Sequence, residues 1–471
     1  MRRRLIVAGA LAGTLLLAAC GLPQAIGPTA GESSNPTSAQ VDGVWRTDGY
    51  GWVIQVVGGH AKTYDITSLS CLPNGDLTRI DGSPGGAAQF GKRNTAEETL
   101  RRNPDGRTAE LRLLGTAADI DLVPLPALPG MCTRPTPSDP LTTFDVFWAT
   151  FAENYNSTVR KHIDWNAARN TYRPMVNAST PPDQLYQILV NMIRPLGDNH
   201  ASIDGPNNQS FTGQRPGTRD DDQVADTDVT KPIDEHLRQN LGVRDIKTWA
   251  DGDIAYADLP DNRGYLRITA FQDWGTKPDQ YVTRQALLDK ALDEVFTDQH
   301  VHSWRSLIID VSYNEGGDDQ LGLSLAGRLT DTPYLAYTKL ARNNPTDPTK
   351  YGRARQAMVV PTPDHPHYTG PLRLLTSDLT VSAGETFTEA LMARTPPATR
   401  MGTATQGVFA DDMNRKLPNG WDFTVGSEDY IAPDGHNYEG PGIPPSTEVP
   451  TLTPQQLAAD QDPALDLADT R

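Results

Sequence analysis

The chain has 471 residues, 37% of them hydrophobic, with 42 basic residues against 59 acidic ones and a formal net charge of −17. That acidity excludes a nucleic-acid partner gripped through its phosphates. The length suggests two or three domains, 8 Trp and 15 Tyr can help to bury a core, and 38 prolines imply many fixed turns.

The chain begins Met1-Arg2-Arg3-Arg4, continues as an apolar stretch from Leu5 to Leu17 and reaches Leu17-Ala18-Ala19-Cys20. Basic, apolar and small-residue zones in that order are those of an export signal. The apolar zone is shorter than the roughly 20 residues of a membrane-spanning helix. The small residues ahead of the cysteine resemble a bacterial lipobox. Residues 1–20 are therefore expected to be a lipoprotein signal, with Cys20 carrying the lipid and the protein anchored to the outer face of the cell membrane. Residues 21–42 lack apolar periodicity and read as a flexible tether. Export leaves Cys71 and Cys132 where a disulfide persists, so the two are expected to pair.

From Gly43 to about residue 134, short β-type runs such as Gly51 to Val57 and Glu110 to Leu114 alternate with Gly, Asn-Gly and Asp-Gly turns, which predicts a small β domain. Pro135 to Pro140 marks a boundary. Phe144, Phe147, Trp148, Phe151 and Tyr155 then form a stripe at helical spacing. Leu185, Ile188, Leu189, Met192 and Ile193 form another, on a helix opened near Pro181. Pro195 ends that helix, placing Leu196-Gly197-Asp198-Asn199-His200 at a turn. Residues 205–232 are polar and read as a solvated, disordered connection. From Gly264 onward, β-type and helical runs alternate, as in an α/β layer.

Ser382 follows a buried-looking strand and opens a helix. Ser382-Ala383-Gly384-Glu385 fits a capping box, and the same helix start could also stabilise an oxyanion. Asn314-Glu315-Gly316-Gly317 lies at another strand-to-helix turn, where glycine lets backbone N–H groups approach a substrate oxygen. It also fits an ordinary tight turn. His200 and Glu439 carry no signal singly. The pairs His300/His302 and His365/His367 lack metal-site spacing and read as loop histidines, so neither a metal nor a cofactor is expected.

Several segments in order carry a resemblance to the tail-specific (C-terminal-processing) serine peptidases over about residues 140–468. They are the helical lead-in with Asp164-Trp165, the turn Leu196 to His200, Gly264-Tyr265-Leu266, Asp310 to Gly317, Ser382 to Glu385, Leu417 to Trp421, Tyr438 to Pro445, and Asp462 to Leu465. Ser312 stands where the family usually has arginine. The resemblance implies a Clp-protease/crotonase-like α/β core at 140–471, with a helical part at about 140–200, behind the small N-terminal β domain at 43–134. Val408 stands where the serine–lysine members carry their lysine. Ser382, His200 and Glu439 fall on the positions of the tricorn-like Ser/His/Glu site. Gly316 or Gly317, with Ala383, would supply the oxyanion N–H groups, and Asn199 is a possible polar support. Residues 201–263 are too few and too polar to suggest the complete PDZ domain of many members, which brings the chain closer to the interphotoreceptor retinoid-binding protein branch.

Two readings follow. One is an extracytoplasmic serine peptidase acting on peptide or protein substrates. The other is a non-catalytic ligand- or peptide-binding lipoprotein on the same scaffold.

Overall fold

The alternating runs of the N-terminal region close on themselves. Strands β1 (Gly43–Thr47), β2 (Trp52–Val57), β3 (His60–Ile66), β4 (Cys71–Ile80), β5 (Ala88–Lys92), β6 (Thr95–Arg102), β7 (Ala109–Leu113) and β8 (Ile120–Leu125) pair antiparallel in sequence order, and β8 returns to β1. Closure removes both sheet edges. Trp45, Ile54, Phe90, Leu100, Leu111 and Leu122 are buried inside. This computed structural model describes residues 41–80, 87–92, 95–219 and 229–470; the signal, Cys20 and nearly all of the tether lie outside the described residues.

Cys71, at the start of β4, is bonded to Cys132 with the Cα atoms 4.8 Å apart, as the sequence predicts. The bridge ties the barrel to the segment that leaves it. Its sequence separation of 61 residues corresponds to about 4 kcal/mol in the chain-entropy estimate. Reduction is expected to lower the unfolding free energy by up to that amount. Alkylation under denaturing, non-reducing conditions should label neither cysteine, and labelling of both would refute the bridge.

Helix α1 (Pro140–Asn154) starts where Asp139 accepts hydrogen bonds from Leu141 N–H at 3.0 Å and Thr142 N–H at 3.1 Å, with proline at the first helical position. Phe144, Phe147 and Phe151 are buried along one face. Helix α2 (Trp165–Tyr172) is capped by Asp164, and its Trp165 exchanges indole-to-carbonyl hydrogen bonds with Trp148. Helix α3 (Pro182–Ile193) buries the second predicted stripe and ends before Pro195. Barrel interior, α1 and α3 share one hydrophobic cluster with Phe423 and Val425, so the barrel is packed against the helices.

The polar stretch 205–232 is more ordered than the composition suggests. β9 (Ser202–Asp204) and β10 (Ser210–Thr212) pair with each other, and Arg219 is bound by Asp378. Helix α4 (Thr230–Gln239) begins inside the same stretch; Asp220, Asp221 and Asp222 lie outside the described residues. Part of the order has a tertiary cause, since Asp378 and the Leu452 carbonyl, 159 and 233 positions downstream, hold Arg219, while β10 is held by β9 just ahead of the stretch.

The next elements are β11 (Lys247–Trp249), β12 (Ile254–Leu259), β13 (Arg263–Ile268), α5 (Tyr281–Val295), α6 (Asp298–Ser303), β14 (Ser306–Asp310), β15 (Tyr313–Asn314), α7 (Asp319–Ala326), β16 (Tyr334–Ala341) and β17 (Arg355–Val359). They are followed by β18 (Leu372–Thr376), β19 (Leu379–Thr380), α8 (Ala383–Ala393), β20 (Thr399–Gly402), β21 (Asp412–Lys416), β22 (Asp422–Gly426), β23 (Glu428–Ile431) and β24 (Thr447–Glu448). The central sheet runs β11-β12-β13-β14-β18-β20-β24 and is parallel from β13 onward. Its inner strands are buried without alternation, as a sheet covered on both faces requires. Smaller sheets run β10-β9-β22-β21 and β17-β16-β23, and β15 pairs with β19. Residues 201–263 thus contribute strands to two of these sheets. His300 and His302 stand on α6 rather than in a loop, because Thr297 caps a short helix there.

Candidate active site

Ser382 sits between β19 and α8 with φ 52° and ψ −116°. This backbone is costly for a residue with a Cβ and persists only where the surroundings fix it. Glu385 supplies much of that fixation, since its carboxylate accepts from Ser382 N–H at 3.3 Å, Gly407 N–H at 2.6 Å and Val408 N–H at 2.7 Å. Burial pushes this carboxyl up to about 7 against the opposing effect of the hydrogen bonds. Glu385 makes its half of the capping box by accepting Ser382 N–H, but the Ser382 hydroxyl forms no capping hydrogen bond.

The Gly-Gly turn lies against the serine. A Cβ on Gly316 would sit 2.7 Å from Ser382 Cβ, and Gly317, at φ 128°, has no room for one against Phe271. Gly316 N–H donates to Asn314 Oδ1 at 3.0 Å, while Asn314 Nδ2 donates to the Ile268 carbonyl at 2.9 Å. Of the two predicted glycine donors, Gly316 is therefore already engaged. Gly317 lines the Ser382 cavity, and Ala383 is the first residue of α8, whose N–H has no partner within the helix.

Residues 408–409 connect two of the three predicted catalytic residues, and Gly426 lies between Ala410 and the third. Ser382 N–H donates to the Val408 carbonyl at 3.2 Å, and Phe409 N–H donates to Glu439 Oε2 at 2.9 Å. The missing Cβ of Gly426 would lie 3.1 Å from Ala410 Cβ and 3.8 Å from His200 Cβ. His200 is buried in its turn, where Asp198 Oδ1 accepts its N–H at 2.9 Å and Thr424 Oγ1 donates to its carbonyl at 2.9 Å.

The expected Glu439–His200 link is not formed. Glu439 Oε1 lies 2.9 Å from Lys161 Nζ, and His200 Nδ1 is buried without a hydrogen-bond partner. Lys161 also reaches Asp198 Oδ2 at 3.2 Å, an oxygen that accepts Tyr155 O–H at 2.6 Å. Burial opposes ionisation throughout this group. It dominates at Glu439 and raises its pKa. At Asp198 burial is outweighed by Lys161, His200 and Tyr155, so the carboxyl stays below its usual range. The two carboxylates in turn hold Lys161 above the ordinary lysine value despite burial. Asn199 is half-buried in the same turn, but Asp198 is the side chain that holds it. Sequence reasoning missed Lys161 because Arg160-Lys161-His162 looks like a solvated polar connection. Its burial arises from contacts with residues 37 and 278 positions away.

A cavity of about 170 Å³ opens at Ser382. Its core side includes Gly317, Asp318, Asp319, Asp411, Asp412 and Glu428, and the barrel supplies Tyr50, Trp52, Leu113 and Ile120 opposite. The deep carboxyl groups are internally bonded. Lys339 Nζ lies 2.7 Å from Asp411 Oδ2 and 3.0 Å from Glu428 Oε2, Tyr430 O–H donates to Asp319 Oδ2 at 2.9 Å, and Tyr50 O–H donates to Glu428 Oε1 at 2.5 Å. Burial and then Asp411 push Glu428 up to about 8 and Asp319 to about 6. Among the described residues no group of three or more His, Cys, Asp or Glu is arranged to hold a metal.

A nucleophile turn at the start of a helix over a mostly parallel sheet is the arrangement of a serine-type hydrolase. Residues 262–449 match the model of peptidase family S41, and residues 138–194 match that of the tricorn protease C1 domain. The chain thus carries a peptidase family S41 domain behind a tricorn C1-like segment, and it is a serine-type peptidase. No curated protein matches the chain. A candidate peptidase from Parabacteroides merdae shares the fold at 21% identity and a TM-score of 0.57, covering 71% of this chain and 96% of that one. Mature CPAF complexed with lactacystin matches at 13% identity and a TM-score of 0.49, over 70% of this chain and 97% of that one. The tricorn protease matches at 16% identity and a TM-score of 0.41, over 88% of this chain and 44% of that one.

Proposed function

We propose that this peptidase is exported, lipid-anchored at Cys20 and cuts peptide bonds through Ser382 and His200. The observation that carries the reading is the strained Ser382 backbone, set at the first turn of α8 beside the Gly316-Gly317 turn; Gly426, which packs against Ala410, also lies against His200. Ser382 Oγ attacks the peptide carbonyl carbon while His200 takes its proton. The N–H groups of Gly317 and Ala383 receive the developing oxyanion. Collapse breaks the C–N bond, His200 returns the proton to the leaving amine, and water then hydrolyses the acyl-serine by the same path. Glu439 acts through Phe409 N–H and Lys161, holding the segment beside the serine and setting the charge around His200.

A fluorophosphonate probe should label the wild-type protein, with peptide mapping placing the adduct on Ser382. Labelling at another residue would overturn the assignment. The non-catalytic binding alternative draws on the Lys161-held Glu439 and the unpartnered His200 Nδ1. It predicts neither labelling nor turnover.

Anchoring has its own test, motivated by Leu17-Ala18-Ala19-Cys20. Mass spectrometry of protein taken from membranes should find acyl chains on an N-terminal Cys20, whereas an unacylated protein cut elsewhere would remove the anchor from the proposal.

A further inference from the structure

The barrel is fixed against the peptidase core beside the nucleophile. Gln320 N–H donates to the Gly115 carbonyl at 2.9 Å, Arg415 Nη1 lies 2.9 Å from Asp65 Oδ1, and Arg355 Nη1 lies 3.1 Å from Glu110 Oε1. These contacts come from three separate parts of the barrel, the β7–β8 turn, the end of β3 and β7, making it a fixed wall beside Ser382. The resulting cavity of about 170 Å³ has the volume of roughly five or six waters at ~30 Å³ each, enough for one long side chain.

The two sides of the cavity differ in chemistry. Trp52, Leu113 and Ile120 on the barrel side are apolar, while Asp318, Asp411 and Asp412 lie opposite. Asp412 is exposed, and the Asp411 side chain keeps 33% of its exposure. Among the described residues that line the cavity Lys339 is the one base, and it is 2% exposed and ion-paired to Asp411 and Glu428; Asp318 is held from outside the lining by Arg284 Nη2 at 2.7 Å, so Asp412 and the open edge of Asp411 are the carboxylates left to a ligand. A long side chain with a cationic tip matches both surfaces, laying its methylenes on the barrel and its charge toward the carboxylates.

We propose that the barrel is the substrate-selecting wall of this peptidase and that the Ser382 cavity takes a lysine or arginine side chain of the substrate. The inference rests on the peptidase reading for its biological meaning, but the cavity can be tested without turnover. Ser382→Ala protein would be titrated calorimetrically with two capped peptides identical except for lysine or norleucine at one position, with that position walked along the peptide. At one position lysine is expected to bind about tenfold more tightly, and raised salt should diminish the difference. Asp412→Asn in the same background should reduce the preference roughly two- to fivefold, and Trp52→Ala should weaken both peptides. Equal binding, preference for norleucine at every position, or no binding would overturn the cavity assignment. Wild-type protein treated with lysyl and norleucyl diphenyl phosphonate peptides separates the two claims. Lysine-selective binding without labelling by either phosphonate would retain the pocket and remove the peptidase reading, whereas equal labelling would do the reverse.

Discussion

Ser382→Ala and His200→Ala are each expected to lower kcat/KM by at least about 10³-fold, and the double variant should lose little more than either single one. Nucleophile and base act as a unit, so removing one leaves the other without a role, and only substrate positioning and oxyanion stabilisation remain. Glu439→Gln should keep a larger share of activity, because Glu439 contacts Lys161 and Phe409 N–H and not the His200 ring. Steady-state hydrolysis of a peptide library by the wild type and these four variants checks this. Turnover that survives in His200→Ala would remove histidine as the base. A Glu439→Gln loss equal to that of His200→Ala would show that Glu439 turns onto the imidazole during catalysis.

Much of the scaffold was legible because periodicity is a local signal. The stripes Phe144 to Tyr155 and Leu185 to Ile193 lie on α1 with its C-cap and on α3, and the β-type run Ser306 to Val311 contains the buried β14. The β-type runs marked the N-terminal strands, but closure of the barrel depends on β1 meeting β8 across nearly the whole region, which no window of sequence displays. Motif order brought Ser382, the Gly-Gly turn and His200 into consideration. It could not reveal the left-handed backbone of Ser382, the engagement of Gly316 N–H by Asn314, or the interception of Glu439 by Lys161. Each of these depends on residues far apart in the chain. The order at Arg219 was hidden for the same reason, since its side chain is held by Asp378 and the Leu452 carbonyl.

Lys161→Met is expected to cost about 3–5 kcal/mol of unfolding free energy, because it leaves Asp198 and Glu439 buried without their cation. The pH dependence distinguishes this from a simple packing defect. In the wild type, Asp198 is held below its ordinary value of 3.8, so its contribution is present above that value and is lost as pH falls through the still lower folded value. Lys161 is held above its ordinary 10.5, so its contribution is present below that value and lost as pH rises through the higher folded one. The pair is therefore intact across the neutral range. Without the cation, burial becomes the leading influence on both carboxyl groups and raises their pKa values, so the folded variant binds more protons than the unfolded chain. Its stability should then fall as pH rises from about 5 to 8 relative to the wild type, with the deficit larger at the alkaline end. Lys161→Arg, which keeps the charge, should recover much of the stability. Activity should fall in Lys161→Met even where the variant is fully folded, because Glu439 no longer fixes Phe409 and the connecting segment beside Ser382 in one charge state. Urea unfolding at pH 5 and pH 8, with kcat measured well below the transition, checks both effects. A pH-independent deficit with unchanged kcat would reduce Lys161 to packing alone.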